Sequence, residues 1–385
     1  MSTLIAPPQS MIPVARPYIG VEEEQAVLDV LRSGWVTQGP RVIEFERQFA
    51  AYVGCEHAVA VSSCTTALQL ALLVLGIGSG DDVICPSLSF IATANAIVHT
   101  GATPVFGDID LATYNLDADE IGKLVSPRTK AILVVHQVGL PANMDAIMEV
   151  AARYDLPVIE DAACAIGATY NGAHIGNLGN LTCFSFHPRK ILTTGEGGMI
   201  TTNDPALAER LRRLRQHAMS LSDVTRHNAT SISTETYDEV GFNFRMTDMQ
   251  AAIGVIQLAR LDTFLQRRRH LAERYTASLR MLPWLVTPAT PAESNPNYQS
   301  YMVRLLPPVA AQRDHLMQYL LDRSISTRRS IMAIHRELPY RSDSNDAALP
   351  RTNLATETGL ILPLFHQMTE ADQDYIIETI QHFTL

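Results

Sequence analysis

Residues 57–75 read HAVAVSSCTTALQLALLVL, and this stretch decides the fold class. His57–Ser62 is a short, nearly continuous apolar run, the pattern of a strand buried on both faces. Thr65–Leu75 then carries apolar residues at helical spacing, and the Ser/Thr cluster between the two reads as a turn that caps a helix. The same unit repeats outward. Asp82–Cys85, Pro104–Gly107, Ala131–Val135 and Pro157–Glu160 are strand-like, and Ile91–His99 and Asp145–Tyr154 have helical spacing. Upstream, Val21–Arg32 reads as a helix ended by Ser33-Gly34, and Phe45–Val53 as a second helical stretch. Strands alternating with helices predict an α/β domain whose mainly parallel sheet is covered on both faces.

The second half changes character. Pro205–Arg215 and Thr247–Tyr275 are long helical patterns, Tyr301–Leu306 is strand-like, and Ala311–Arg323 and Glu370–Phe383 read as helices. This predicts a smaller α+β domain, with 1–260 as the large domain including its N-terminal arm and 261–385 as the small one.

Composition narrows the partners. Of 385 residues, 46% are apolar and 18% charged, as in globular chains. The net charge of −10, with basic residues scattered, excludes the basic face that non-specific nucleic-acid or anionic-membrane binding needs. No apolar run is long enough for a membrane span, and the N-terminus lacks the pattern of a signal peptide. The five cysteines show no C-x-x-C pairing, which points to reduced thiols and a cytoplasmic setting. The 12 histidines are dispersed without H-E-x-x-H, so no metal site is expected. G-x-G-x-x-G, G-x-x-x-x-G-K-[ST] and G-x-S-x-G are also missing.

Three stretches could carry chemistry. In Ser62-Ser63-Cys64-Thr65-Thr66 a strand feeds a helix, whose free N–H groups and dipole can cradle an anion, with the Thr65 hydroxyl as a further donor. An ordinary N-cap explains the same residues. In Val158-Ile159-Glu160-Asp161-Ala162-Ala163 a carboxylate ends an apolar strand, where open α/β sheets bind ligands; it could hold a protonated ring nitrogen, or serve only as a turn residue. In Phe184-Ser-Phe-His-Pro-Arg-Lys190 a strand enters a proline turn, then a lysine, then the Gly/Thr-rich Thr193–Gly198. A lysine there can form imines with carbonyls, and glycines let backbone pass close to a flat ligand; a surface lysine before a loop is the alternative. Together, a phosphate cradle, a carboxylate for a ring nitrogen and an imine-forming lysine make one coherent cofactor constellation.

At these residues the sequence resembles the DegT/DnrJ/EryC1/StrS family of sugar aminotransferases. The resemblance runs from Arg16-Pro-Tyr-Ile-Gly and Ser33-Gly-Trp-Val-Thr-Gln-Gly-Pro40 through Val61–Ala67, Pro86–Asn95 and Gly101–Val105. It continues through Glu160–Ala163, Ser185–Lys190, Thr194–Gly198 and Gly241-Phe-Asn-Phe-Arg-Met246. It implies fold type I, with a large domain built on a seven-stranded, mainly parallel sheet and a small C-terminal domain. It also implies pyridoxal 5'-phosphate, passing through its pyridoxamine form. By resemblance, Lys190 carries the cofactor and Asp161 keeps its ring nitrogen protonated. Cys64, Thr65 and Ser185 surround the phosphate. Phe90 stacks on the ring, unless it is simply a core phenylalanine. Asn243 reaches the phosphate of the neighbouring subunit, which implies a homodimer with shared sites. Two positions depart from the family pattern: Cys64 stands where Gly or Ala is usual, and Cys164 where many members place Gln near the cofactor's phenolic oxygen. Thr37, His187, Arg245, Arg328, Arg329 and His335 are candidate substrate contacts, although solvated charges or helix-end partners would account for the arginines and His335 as well. The implied reaction moves an amino group from an amino acid, glutamate in most members, to a keto-sugar, commonly nucleotide-linked. A keto-inositol acceptor and a non-catalytic regulatory role are the alternatives. A sugar-dehydrating branch has histidine at the lysine position, so Lys190 argues against it.

Overall fold

A computed structural model describes residues 8, 10–221, 234–341 and 343–384. Its centre is a seven-stranded sheet in the order β1-β9-β8-β5-β4-β2-β3. The strands are β1 His57–Val61, β2 Asp82–Pro86, β3 Thr103–Gly107, β4 Thr129–Val135, β5 Val158–Asp161, β8 Leu181–Ser185 and β9 Gly198–Thr202. All run parallel except β9, which pairs antiparallel with both β1 and β8. Side chains alternate across each strand. Ile132, Val134 and Val158 enter one core layer, and Leu133, Val135 and Ile159 the other. Both faces are therefore buried, which is why these strands read as continuous apolar runs.

Helices α3 Cys64–Val74, α4 Ala92–His99 and α7 Pro205–Leu214 cover one face, through Leu68, Leu72, Ile97 and Leu211. Helices α2 Pro40–Val53, α6 Met144–Arg153 and Asp248–Ala259 cover the other, through Phe45, Phe49, Ile147 and Ala251. Before them, α1 Val21–Ser33 stops at Gly34, whose φ of 75° lets its N–H bond back to the Leu31 carbonyl.

A second, antiparallel sheet in the order β10-β12-β14-β13 lies in the C-terminal part: Leu285–Val286, Tyr301–Leu305, Gly359–Leu362 and Arg328–Arg329. Its core unites Tyr301, Val303 and Leu360 with helices Leu261–Leu279, Arg313–Leu321 and Glu370–Gln381. Ile12 of the N-terminal arm is part of this core. Helix Leu261–Leu279 spans both units: Leu261, Phe264 and Leu265 pack in the large core, Leu271, Tyr275 and Leu279 in the small one. A short sheet, β11-β6-β7 (Ser294–Asn295, Thr169–Tyr170 and Ala173–His174), joins a loop of the large domain to the entry of the small one.

The helical pattern 247–275 is divided at Arg260. No breaker residue stands there. The Arg260 guanidinium is held by Glu22 and Glu23 of α1, at 2.8 and 3.0 Å to the two Glu23 oxygens, and lies over the Tyr18 ring. Strands β9 and β14 carried no clear sequence signal; one begins in the glycine-rich loop and the other follows directly on helix Pro350–Thr358. Among the described residues no helix is long and apolar enough to cross a membrane.

One carboxylate secures the start of α2 from far along the chain. Asp248 is buried and accepts the amides of Gly39 (2.8 Å), Val42 (3.0 Å) and Arg41 (3.0 Å). Asp248→Ala would leave these donors unpaired, and denaturant unfolding should show a loss of about 2 kcal/mol. An unchanged midpoint would contradict this role.

Candidate active site

The site grows from the C-terminal ends of the parallel strands. Asp161 is the last residue of β5 and is buried, at 5% exposure. Its Oδ2 accepts the Thr93 hydroxyl (2.9 Å), which in turn contacts Ser89 Oγ (2.8 Å); its Oδ1 accepts the Ala163 amide (3.1 Å). Burial pushes this carboxyl above the usual aspartate range, against the pull of those hydrogen bonds and of the Lys190 charge. The preceding Glu160 points to the opposite face and is fully engaged. It accepts the Thr182 hydroxyl (2.8 Å), the Gly179 amide (2.6 Å) and His136 Nε2 (2.9 Å). His136 Nδ1 accepts the Ala142 amide, so Nε2 carries the proton. Of the adjacent carboxylates, Asp161 is the one placed to meet a ligand.

At the end of β1 the chain turns into α3. Ser63 is the N-cap, accepting the Thr66 amide (3.2 Å), so the capping reading holds for that residue. The amides of Cys64 and Thr65 and the Thr65 hydroxyl remain without partners among the described residues. β9 runs directly beneath this turn. A Cβ on Gly198 would lie 2.6 Å from the Ser63 carbonyl and 2.8 Å from the Cys64 nitrogen. Gly198 pairs with both Val61 and Ser185, which brings Ser185 to the same turn.

Lys190 follows a turn closed by its amide on the His187 carbonyl (2.8 Å). Its Nζ lies 3.1 Å from Cys164 Sγ. Burial lowers the ammonium, but the contact with the Cys164 sulfur and the Asp161 carboxylate outweigh it and leave Lys190 above the ordinary lysine value. Burial pushes the Cys64 thiol well up, which keeps it protonated. Lys190, Asp161, Cys64 and Cys164 thus form one mutually interacting group.

The other expected residues fall in varied places. Phe90 is 69% exposed and not a core residue; its carbonyl accepts the amide of Thr93, the residue that holds Asp161. His187 flanks Lys190, with Nδ1 accepting the Arg189 amide. Arg328 is exposed and feels the charge of Arg189, next to Lys190. Arg329 pairs with Asp314 instead. Asn243 is exposed, between Phe242 and Phe244, whose rings stack 4.8 Å apart against the core. The Phe244 carbonyl accepts the Ser62 amide, so this segment adjoins the α3 turn. Arg245 is half-buried with no ion pair among the described residues. Thr37 is exposed, and its carbonyl accepts the Asp248 amide. His335 is buried, with Nδ1 on Ser87 Oγ (2.7 Å) and Nε2 facing Asp346 and Asn353. Its ring joins the small domain to the end of β2 and has no free edge for a substrate. Gly198 lies in the glycine-rich stretch that the sequence singles out, whereas Thr93 and His136 were not singled out as site residues, because their contacts arise only from the fold. Among the described residues no His/Cys/Asp/Glu cluster could hold a metal.

The fold and this lysine–aspartate–phosphate-cradle arrangement define a fold type I pyridoxal-phosphate enzyme. Residues 17–381 match the DegT/DnrJ/EryC1/StrS aminotransferase family, and the chain belongs to it. It is 43% identical to GDP-perosamine synthase of Caulobacter vibrioides over 96% of this chain and 97% of that one. The aminotransferase TlmJ of Streptoalloteichus hindustanus superposes with a TM-score of 0.89 at 38% identity, over 96% and 98% of the two chains. Spr1654 of Streptococcus pneumoniae, a proposed sugar aminotransferase in its PLP form, superposes equally well (TM-score 0.89, 28% identity, 97% and 100%). The protein is a PLP-dependent sugar aminotransferase.

The residues present fit the cofactor: uncommitted amides and a hydroxyl for its phosphate, a buried carboxylate short of solvation for its ring nitrogen, and an amine beside that carboxylate. The raised Asp161 carboxyl has a consequence for the cofactor-free protein. Between the ordinary aspartate value and its own higher one, the folded state holds a proton that the unfolded chain has lost, so stability declines as pH rises through that window. Asp161→Asn should therefore raise the Tm of cofactor-free protein at neutral pH, lose that advantage in acid below the ordinary aspartate range, and weaken cofactor retention. Calorimetry across pH checks this; a variant less stable at neutral pH would contradict it.

Proposed function

We propose that this enzyme moves the amino group of an amino acid, L-glutamate, onto a nucleotide-linked keto-sugar, with Lys190 and Asp161 as its catalytic residues. The observation that supports this most is Lys190 Nζ held within electrostatic reach of buried Asp161, beside a helix start whose donors are unpaired. When bound, the cofactor supplies a carbonyl that takes and passes on the amino group, and a ring that draws electrons from the carbon being deprotonated. Lys190 Nζ would hold that carbonyl carbon in the resting enzyme and be freed as an amine when the amino donor binds. As a free amine it then takes the proton from the donor's α-carbon and returns it one position along. Asp161, whose charge is stabilised by Thr93 and the Ala163 amide, would hold the proton on the ring nitrogen. Cys64, Thr65 and Ser185 would hold the phosphate, Phe90 would cover the ring, and Cys164 would meet the cofactor near Lys190. The second substrate runs the same sequence in reverse.

The nucleotide-linked acceptor is supported by the likeness to GDP-perosamine synthase, whose own name specifies a GDP-sugar. Arg328, which feels the charge of Arg189, and Arg245, without an ion pair among the described residues, are suited to a diphosphate, with Thr37 and His187 assigned to the sugar. We place Asn243 in the site of a second copy of the chain. It is exposed while its neighbours Phe242 and Phe244 are anchored, as a residue reaching across a homodimer interface requires.

The test is the visible absorption of purified protein with cofactor, before and after glutamate, beside Lys190→Ala. Wild type should show a yellow band that glutamate bleaches, and Lys190→Ala should lose at least about 1,000-fold in turnover. A Lys190→Ala protein that turns over at the wild-type rate would overturn the assignment.

A further inference from the structure

The segment Asn297-Tyr298-Gln299 leads from β11 into β12, the entry to the small domain, and carries no role in the reaction as described. Its side chains nevertheless meet the two loops that form the site. Gln299 is buried, at 8% exposure. Its Nε2 donates to the Arg189 carbonyl (2.7 Å) and its Oε1 accepts the Ile191 amide (3.1 Å), so one carboxamide grips the chain on both sides of Lys190. Asn297 is fully buried, and its Nδ2 donates to the carbonyls of Cys164 (2.9 Å) and Ile166 (2.8 Å). Asn297 Oδ1 accepts the Gln299 amide (2.8 Å), which locks the two grips together. The buried Arg268 guanidinium donates to the carbonyls of Tyr298 (2.9 Å) and Gln299 (2.8 Å). The Asn297 and Ser300 amides bond to the carbonyls of Gly139 and Val138 in the large domain. Every polar group of this clamp that faces the site loops is used on backbone, so its effect is to fix position.

We propose that Gln299 is a positioning residue: bonded to both neighbours of Lys190 and coupled through Asn297 to the Cys164 loop, it sets where the Lys190 amine stands. This rests on the reading of Lys190 as the cofactor-bearing lysine. A lysine with four rotatable carbons reaches one geometry only if its backbone is held, and a displacement of about 1 Å at a reacting group can cost on the order of 100-fold in rate.

Gln299→Met keeps the volume and loses both hydrogen bonds; Gln299→Glu keeps the acceptor for Ile191 and regains the donor to Arg189 only when its carboxyl is protonated. Gln299→Met should lower kcat roughly 10- to 100-fold with donor KM nearly unchanged, and shift the pH midpoint of the lysine-bound cofactor's yellow band. In cofactor-free protein, hydrogen exchange across 186–194 should speed up in Gln299→Met. Gln299→Glu should recover towards wild type as pH falls, a profile that a purely structural role would not produce. If Gln299→Met matches wild type in kcat, band midpoint and exchange, the proposal fails while the transaminase reading stands. If wild type itself forms no yellow band with cofactor, the Lys190 reading fails first, and this inference with it.

Discussion

The structure depends on keeping one carboxylate out of water at the end of a central strand. Asp161 closes β5, which has β4 and β8 on either side and helices on both faces. Burial there makes a bare negative charge unfavourable, and two hydrogen bonds to Asp161 offset only part of that cost. A protonated ring nitrogen is the partner we propose for it, so the position that weakens the cofactor-free protein would also be the one that selects the ligand. Glu160, one residue earlier, shows the contrast. The period of the strand turns it to the other face, where a hydroxyl, an amide and an imidazole satisfy it completely.

The remaining site elements are arranged around that strand end by the sheet order. β8 lies beside β5 and delivers Lys190 through the turn after Ser185. β9 reverses direction between β8 and β1, and its glycine allows the α3 turn to settle directly on it. Antiparallel β9 therefore connects the lysine loop to the phosphate turn, two features far apart in sequence. The small domain contributes from the other side. His335 bonds to Ser87 below the Phe90 turn, and the 297–299 segment clasps the Lys190 and Cys164 loops.

The two cysteines at unusual positions acquire physical meaning in this setting. Cys64 offers its backbone amide at the start of α3 while its thiol stays protonated in a dry environment. Cys164 places sulfur 3.1 Å from the Lys190 amine, where many members of the family carry a carboxamide. That contact sets a polarisable sulfur against the amine that we propose as catalytic.

The sequence by itself determined the α/β class and the parallel strands, and it singled out Lys190, Asp161 and the Ser62–Thr66 turn as candidates for chemistry. Each is written locally, in an apolar run of strand length or a capping cluster at a strand end. Tertiary structure alone decided the rest. The Arg260 guanidinium, at the junction between two consecutive helices, is held by Glu22 and Glu23 on another helix, and the start of α2 depends on Asp248, some 200 residues later. Phe90 is exposed rather than a core phenylalanine, while His335, a candidate substrate contact, is buried with both ring nitrogens engaged. The grip of Gln299 on Lys190 had no sequence signal either. A glutamine in a loop is locally indistinguishable from any solvated polar residue, and only the packing of one domain's entry segment against the other's loops gives its two hydrogen bonds a direction.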